Sequence, residues 1–261
     1  RHGGRVSYAL RTEVINATIG ADDNGTEDDG EATELDAIDA TCEGVTGGSA
    51  DDTLTGDSGA NVLSGGAGND TLTGLGGADV LNGDAGNDTF AEGDATSGGD
   101  VFNGGAGTDT VDYSERTAAL TITMDGTQAN DGLTGEADNV KADVENVLCG
   151  TAGDTVTGNS LGNQSAGGAG AAPRSGGAGD DTFVEGDATN GGDVFNGGDG
   201  VDTVDYSART EVLTVTMDGA TADDGEASEA DNVKSDVENL YAGEGGDTIT
   251  GNTRDNEITG G

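Results

Sequence analysis

A nine-residue repeat with glycine and aspartate at fixed places constrains this chain more than any other feature. From Gly47 the sequence reads GGSADDTLT, GDSGANVLS, GGAGNDTLT, GLGGADVLN and GDAGNDTFA. Three residues, Glu92 to Asp94, interrupt the period, which resumes with ATSGGDVFN and GGAGTDTVD and returns in later runs that begin near Cys149 and Ala242. The underlying pattern is G-G-x-G-x-D-x-U-x, where U is a large apolar residue.

Each nonapeptide combines a tight turn with a very short strand. Its first six residues are turn formers, since glycine permits the left-handed backbone conformations that such turns use. Its last three residues alternate polar, apolar and polar, which predicts one inward side chain per strand. Two nonapeptides make a coil of roughly 18 residues, and stacked coils place their strands in parallel about 4.8 Å apart. The sequence therefore predicts an all-β fold, a right-handed parallel β-roll or β-solenoid.

The acidic residues decide what must hold such a thin fold together. The chain has 52 acidic and 9 basic residues, a formal net charge of −43, and only 3% aromatic residues. Self-repulsion at this charge leaves two outcomes, which are disorder or neutralisation by bound cations. The regular spacing of the acids favours cations. Stacking brings the sixth-position aspartates of successive coils together, and neighbouring carboxylates cannot all stay ionised without a cation between them.

Calcium is the cation that this donor set predicts. It accepts about six to eight oxygens in a flexible geometry, whereas magnesium demands a strict octahedron, and the chain has no Cys/His cluster for zinc. Asparagine stands at the sixth position in Asn61, Asn163 and Asn256, where we expect weaker binding. Because the core is thin, calcium binding and folding should be coupled. The candidate ligands are Asp52, Asp70, Asp79, Asp88, Asp100, Asp109, Asp154, Asp181, Asp193, Asp202 and Asp247.

A longer repeat lies over the short one and divides the chain. The sequence GDATSGGDVFNGGAGTDTVDYSERTAALTITMDG at Gly93 recurs as GDATNGGDVFNGGDGVDTVDYSARTEVLTVTMDG at Gly186, and a diverged copy starts at Val6. The predicted organisation has six parts. They are a diverged first module (1–46), a nonapeptide β-roll (47–112), an inserted segment with strands and an acidic loop (113–148), a second β-roll (149–205), a second insert (206–241) and terminal coils (242–261).

Two kinds of segment depart from the repeat. In the stretch 158–175 the inward positions hold Ser165 and Arg174, Ala172 replaces the aspartate, and Pro173 cannot donate a ladder hydrogen bond. We interpret this stretch as a damaged coil or a loop, and as a candidate hinge. The inserted segments carry acidic loops, 125–139 and 218–232, which fit no EF-hand pattern. Solvated loops are the preferred interpretation, and additional calcium ligation is the alternative.

The nonapeptides resemble those of the repeats-in-toxin (RTX) family, and the VDYS…DVEN segments resemble inserts of large bacterial RTX-like proteins. This resemblance covers nearly the whole chain. It implies a parallel β-roll, several calcium ions held in the turns by the sixth-position aspartates, bacterial export, and folding outside the low-calcium cytoplasm. The implied ligand does not carry over at Ala172, where the aspartate is missing.

No catalytic constellation stands out, and we expect a protein that is not an enzyme. GNSLG at Gly158 fits the G-x-S-x-G nucleophile pattern, but it falls in the nonapeptide register, and the only histidine is His2. The acidic charge argues against binding to nucleic acid, whose phosphates would be repelled. No apolar run reaches the roughly 18 residues that a membrane span requires.

Two classes of function remain. The first is a secreted or cell-surface structural or adhesive protein that assembles head to tail with further copies of itself into a filament or matrix. Joining Gly260-Gly261 to the opening RHGGRVSY continues the repeat register, which favours this class. The alternative is a calcium-folded accessory domain of a larger secreted enzyme, toxin or adhesin.

Overall fold

The computed structural model describes residues 4–20, 30–31, 38–94 and 96–261, with the main chain alone at 30–31. His2 lies outside the described residues. Contacts divide the chain into two compact units, which are residues 1–113 with 126–144 (the first unit) and residues 114–125 with 145–261 (the second unit). In the described ranges, no helix is long and apolar enough to cross a membrane.

Every strand of the described chain is short, as the three-residue apolar alternation predicts. In chain order the strands are β1 (Gly4–Ser7), β2 (Ile15–Thr18), β3 (Gly30–Glu31), β4 (Cys42–Thr46), β5 (Thr53–Thr55), β6 (Val62–Ala67), β7 (Thr71–Thr73), β8 (Val80–Ala85), β9 (Thr89–Ala91), β10 (Val101–Ala106), β11 (Thr110–Asp112), β12 (Leu120–Thr123), β13 (Gly132–Leu133), β14 (Asn139–Val140), β15 (Asn146–Leu148), β16 (Thr155–Thr157), β17 (Gln164–Ala166), β18 (Pro173–Ala178), β19 (Thr182–Val184), β20 (Val194–Asp199), β21 (Thr203–Asp205), β22 (Leu213–Thr216), β23 (Gly225–Glu226), β24 (Asn232–Val233), β25 (Asn239–Tyr241), β26 (Thr248–Thr250) and β27 (Glu257–Thr259).

Two sheets of mostly parallel strands form the first unit. One has the order β1-β4-β6-β8-β10-β14 and the other contains β3-β2-β5-β7-β9-β11, with β3 antiparallel to β2. Leu54 lies opposite Leu72, and Leu72 lies opposite Phe90, so successive coils are 18 residues apart. Leu81 lies opposite Phe102, so the three interrupting residues lengthen a turn and leave the inward positions in step.

The second unit repeats this arrangement. Its sheets contain the orders β12-β16-β18-β20-β24 and β15-β17-β19-β21-β25-β27, together with a smaller sheet, β23-β22-β26. All the described pairings in these sheets are parallel except that of β22 with β23. Phe183 lies opposite Val204, and Val204 lies opposite Leu240, so one file of apolar side chains continues from coil to coil.

The inward positions of the nonapeptides form the core. Ile249 is only partly buried, and Ile258 on β27 is 41% exposed. The all-β, parallel β-roll architecture that the repeat predicts is confirmed in each unit. The inward side chains that are at most 3% exposed are Leu54, Leu63, Leu72, Leu81, Phe90, Phe102, Val111, Val156, Phe183, Phe195 and Val204.

Glycine occupies turn positions where the backbone has a positive φ angle. Gly66 has φ +110° and Gly68 has φ +122°, in the region that side chains rarely adopt. A Cβ at Gly68 would also collide with the carbonyl group of Ala50 on the preceding coil. Glycine therefore lets the turns of neighbouring coils approach as closely as their strands do.

The interpretation of 158–175 as a damaged coil or loop is wrong. The stretch forms β17 and the start of β18, with Ser165 opposite Phe183 and Arg174 opposite Phe195, in the register of the other coils. Pro173 is the first residue of β18, a position where a strand tolerates proline. Arg174 is 1% exposed, so this coil keeps its inward position but fills it with a guanidinium group.

The inserted segments also continue the sheets. In the first unit, β14 pairs with β10 and places Val140 opposite Phe102. In the second unit, β24 pairs with β20 and places Val233 opposite Phe195. Each insert thus adds an inward residue to the file that contains Phe102 or Phe195. The acidic loop of each insert leads directly into that strand.

Candidate metal centres

The sixth-position aspartates form ladders along the turns. Oδ1 of Asp70 accepts the backbone N–H of Asp52 at 2.7 Å, and Oδ1 of Asp88 accepts the N–H of Asp70 at 2.8 Å. Each carboxylate therefore binds the backbone of the coil before it. The same bond is made by Asp52, Asp79, Asp100, Asp109, Asp154, Asp181, Asp193, Asp202 and Asp247, to the residues Ile15, Asn61, Asp79, Asp88, Leu120, Asn163, Ala172, Asp181 and Leu213 in turn.

The second carboxylate oxygen of many of these aspartates has no protein partner. A buried ionised oxygen without a donor costs free energy, so these atoms mark places where the protein alone is incomplete. The residues are no more than 2% exposed, which leaves no room for bulk water. The buried Oδ2 atoms without a hydrogen bond include those of Asp70, Asp79, Asp88, Asp154, Asp181 and Asp202.

Main-chain carbonyl oxygens lie near the Oδ2 atoms of several ladder aspartates. A Cβ built on Gly47 would collide both with Oδ2 of Asp52 and with the carbonyl oxygen of Gly65, one coil on. A Cβ on Gly83 would collide with Oδ2 of Asp88 and lie 2.6 Å from the carbonyl oxygen of Gly104. The first glycine of the repeat thus lies so close to carboxylate and carbonyl oxygens that no side chain would fit there. This all-oxygen donor set fits calcium.

Burial raises the pKa of the ladder aspartates. It raises the pKa of Asp70 and Asp181 to about 6 and that of Asp79 and Asp202 to about 7. Neighbouring carboxylates add to this, as Asp88 does for Asp70. Without a cation, the folded chain therefore favours the protonated form of these ladder aspartates. A bound cation would favour the ionised form instead.

The asparagine turns contrast with the aspartate turns. Oδ1 of Asn163 accepts the N–H of Asn159 at 2.8 Å, and its Nδ2 donates to the carbonyl oxygen of Glu145 at 3.1 Å. Asn256 is held in the same way by Asn252 and Glu238. Hydrogen bonds within the protein therefore occupy both the oxygen and the nitrogen of these side chains. The weaker calcium binding expected there stays a prediction.

The predicted ligands do not all have the same surroundings. Both oxygens of Asp52 accept backbone hydrogen bonds, from Ile15 and Gly48, and Asp247 is only half-buried. Asp100 and Asp193 lie beside acidic residues of the inserts, with their N–H groups donating to Asp138 and Asp231. These two aspartates therefore belong to a different kind of site from the GGxGxD turns.

The acidic loops are not simply solvated, and the preferred interpretation of them is wrong at Asp131, Glu136 and Asp138, which are at most 8% exposed. Carboxylate oxygens of Glu92, Glu136 and Asp138 lie within 4.8 Å of one another. In the nonapeptide pattern Glu92 is only part of an interruption. The signal that was available is that both copies of the long repeat place a glutamate there, Glu92 and Glu185.

The serine of the GNSLG match, Ser160, lies exposed in the turn between β16 and β17. Its neighbour Asn159 accepts the N–H of Leu161 at 2.7 Å, an arrangement typical of a tight turn. The strand that follows is β17, in register with β19. This geometry is that of a repeat turn rather than of a nucleophile between a strand and a helix.

The ladders of buried aspartates and the glycine turns are typical of a class of protein in which repeated turns bind cations along a parallel β-roll. The family model of the RTX calcium-binding nonapeptide repeat matches four copies in this chain, at residues 46–78, 55–90, 94–115 and 241–261. A comparison with curated proteins finds no significant match. The chain therefore carries RTX repeats, which bind Ca²⁺ and are typical of secreted proteins.

Proposed function

We propose that this chain is a secreted structural or adhesive β-roll that folds when calcium enters its turns. The observation that carries the proposal is the series of buried Oδ2 atoms without hydrogen-bond partners, of which those of Asp88 and Asp202 lie near a main-chain carbonyl oxygen at the first glycine of the turn. The proposed calcium ligands are the sixth-position aspartates of regular turns, with the Oδ2 atoms of Asp70, Asp88 and Asp181 as the best-defined examples. Extracellular calcium modules work at affinities of about 10⁻⁴–10⁻³ M, which suits folding after export.

The proposal assigns the protein a mechanical rather than a catalytic role. A β-roll with a single inward side chain per strand buries little apolar surface, so ion bridges must supply much of its cohesion. Each bound ion would connect consecutive turns, because the neighbouring oxygens come from successive coils, as Oδ2 of Asp88 and the carbonyl oxygen of Gly104 do beside Gly83. Such a module suits an extracellular scaffold, whose length is set by the number of coils.

A calcium titration of the full chain tests this function. We expect strand content, followed by far-UV circular dichroism, to rise cooperatively with calcium at pH 8 and to stay low in the same concentration of magnesium. Magnesium is the matched control because it has the same charge but requires a stricter octahedral geometry. Full strand content in excess chelator at pH 8 would contradict the proposal.

We further propose that copies of this chain associate head to tail through the face of β27. Ile258 is an inward residue by its register but is 41% exposed, and β27 is paired with β25 on one side. An apolar edge of this kind favours the addition of another coil. The opening segment is suited to follow, because Val6 and Tyr8 align with Val204 and Tyr206 of a complete coil.

Sedimentation velocity with saturating calcium tests this association. We expect oligomers that grow with concentration in the wild-type chain and fewer of them in Ile258→Asp. The control is Val212→Asp, which places the same charge on an exposed apolar residue outside this face. Monomers at all concentrations would contradict self-association and favour the alternative, an accessory domain of a larger secreted protein.

A further inference from the structure

The two copies of the long repeat place acidic residues at equivalent positions, 93 residues apart. In each copy these residues come from the three-residue interruption, the following sixth-position aspartate and the acidic loop of the insert. The first insert cluster is Glu92, Asp100, Glu136 and Asp138, and the second insert cluster is Glu185, Asp193, Glu229 and Asp231.

Hydrogen bonds hold the first insert cluster in a compact arrangement. The N–H of Ser97 donates to Oε1 of Glu136 at 3.0 Å, and its hydroxyl group donates to Oε2 of Glu92 at 3.0 Å. Tyr113 donates its hydroxyl proton to Oδ2 of Asp138 at 2.9 Å. These donors help to fix the carboxylates in place, with oxygens of three of them within 4.8 Å of one another.

Asp100 adds a fourth carboxylate group to the first insert cluster. It is fully buried, its Oδ1 is used by the N–H of Asp79 at 2.7 Å, and its Oδ2 has no hydrogen-bond partner. The Asp100 carboxyl group interacts with Glu92 and Glu136, which places it against the cluster.

The second insert cluster contains a cation of its own. Arg174 is fully buried, and its guanidinium group binds Glu185 and lies 3.2 Å from Oδ2 of Asp193. The guanidinium also donates to the carbonyl oxygens of Ser165 and Val184 at 3.0 Å. In this copy, therefore, the oxygen equivalent to Oδ2 of Asp100 contacts a positive charge.

The residue equivalent to Arg174 in the first copy is Leu81. The two residues have the same place in the roll, because Leu81 lies opposite Phe102 and Arg174 lies opposite Phe195. Leucine brings no charge to the first insert cluster. A second arginine, Arg209, also contacts the second insert cluster, at 3.1 Å from Oε2 of Glu185 and 2.6 Å from Oε1 of Glu229. Its equivalent in the first copy of the long repeat is also an arginine, Arg116, so this position does not distinguish the two sequences.

We propose that the first insert cluster binds one calcium ion, and that the guanidinium group of Arg174 takes the place of this ion in the second insert cluster. The donors are carboxylate oxygens alone, which suit a hard divalent cation. Three of the four residues lie outside the nonapeptide turns, so the site is additional to the turn sites. A fixed arginine in one copy and an exchangeable ion in the other satisfy the same buried negative charge.

Native mass spectrometry of the full chain in calcium tests this site by counting bound ions. We expect Glu136→Gln to bind one calcium ion fewer than the wild-type chain, whereas the matched Glu229→Gln binds the same number. We expect Arg174→Leu to bind one ion more, because it removes the resident cation. Each count is compared with that of the wild-type chain, so the result does not depend on how many turns are occupied.

Terbium luminescence gives a second readout that does not require a carboxylate to be replaced. Terbium at the first insert cluster would lie close to Tyr113, which should sensitise its emission, so Tyr113→Phe should lower the signal more than Tyr206→Phe does. Equal ion counts in Glu136→Gln and Glu229→Gln would overturn the proposal. An equal loss of emission in the two tyrosine variants would also overturn it.

Discussion

Acid should partly replace calcium in folding this chain. Burial raises the pKa of Asp70 and Asp181 to about 6 and of Asp79 and Asp202 to about 7 in the folded protein, from 3.8. The calcium-free folded state therefore binds protons more tightly than the unfolded state. This stabilisation is fully present below about pH 3.8 and is lost as the pH rises through about 6 to 7.

The size of the effect is large compared with the stability of a domain. A pKa raised from 3.8 to about 6 corresponds to about 3 kcal/mol of folding free energy, and one raised to about 7 corresponds to about 4 kcal/mol. Because the effective dielectric constant of proteins is about 20 even at buried sites, we use a lower contribution, on the order of 1 kcal/mol per aspartate. Four such residues still contribute several kcal/mol, and whole domains are stable by only about 5–15 kcal/mol.

The assay is far-UV circular dichroism of the calcium-stripped chain between pH 8 and pH 5, repeated with saturating calcium. We expect strand content in the stripped chain to rise on acidification with a midpoint between about pH 6 and pH 7, and to be nearly independent of pH with calcium. Asp79→Asn should weaken the pH dependence, because it removes one titrating group. A stripped chain that is as unfolded at pH 5 as at pH 8 would refute the reasoning.

Two further predictions concern the first glycine of the repeat and the coupling of calcium binding to folding. Gly65→Ala should bind calcium more weakly and be destabilised by ~1–3 kcal/mol, because its Cβ collides with Oδ2 of Asp70. Gly246→Ala, whose Cβ meets nothing within 4 Å, is the control in thermal melts with calcium. In a Cys42→Ser background, Cys149 should resist alkylation with calcium and react in chelator. Burial raises its pKa to about 12, so rapid labelling in calcium would contradict a folded second unit.

Much of the fold follows from the sequence, because the repeat determines both the backbone and the core. Glycine best suits the positive φ at Gly66 and Gly68, although Leu75 and Asp84 adopt a smaller positive φ at the position equivalent to Gly66, and only one apolar side chain per strand can point inward. The 18-residue separation of Leu54 and Leu72 follows directly from two nonapeptides per coil. Because the same nine-residue pattern recurs in each regular coil, it determines most of the architecture of the β-roll.

The insert regions could not be predicted in the same way, because their contacts are not local. Glu92 and Glu136 meet because β14 pairs with β10, and no short-range pattern specifies this pairing. The acidic loops therefore resembled solvated segments. The composition of these loops allows additional calcium ligation, but composition cannot identify which carboxylates lie close together.

Arg174 shows why a departure from a repeat is not necessarily damage. Judged by the apolar rule, an arginine at an inward position should break the coil, since an unpaired buried charge is strongly unfavourable. Here Glu185 and Asp193 are already buried, and Arg174 satisfies both while its Cζ lies 4.7 Å from the centre of the Phe195 ring. The acids that require a metal ion in one coil make an arginine acceptable in another. In a roll with so little apolar core, each inward position must therefore be judged together with the carboxylates that surround it.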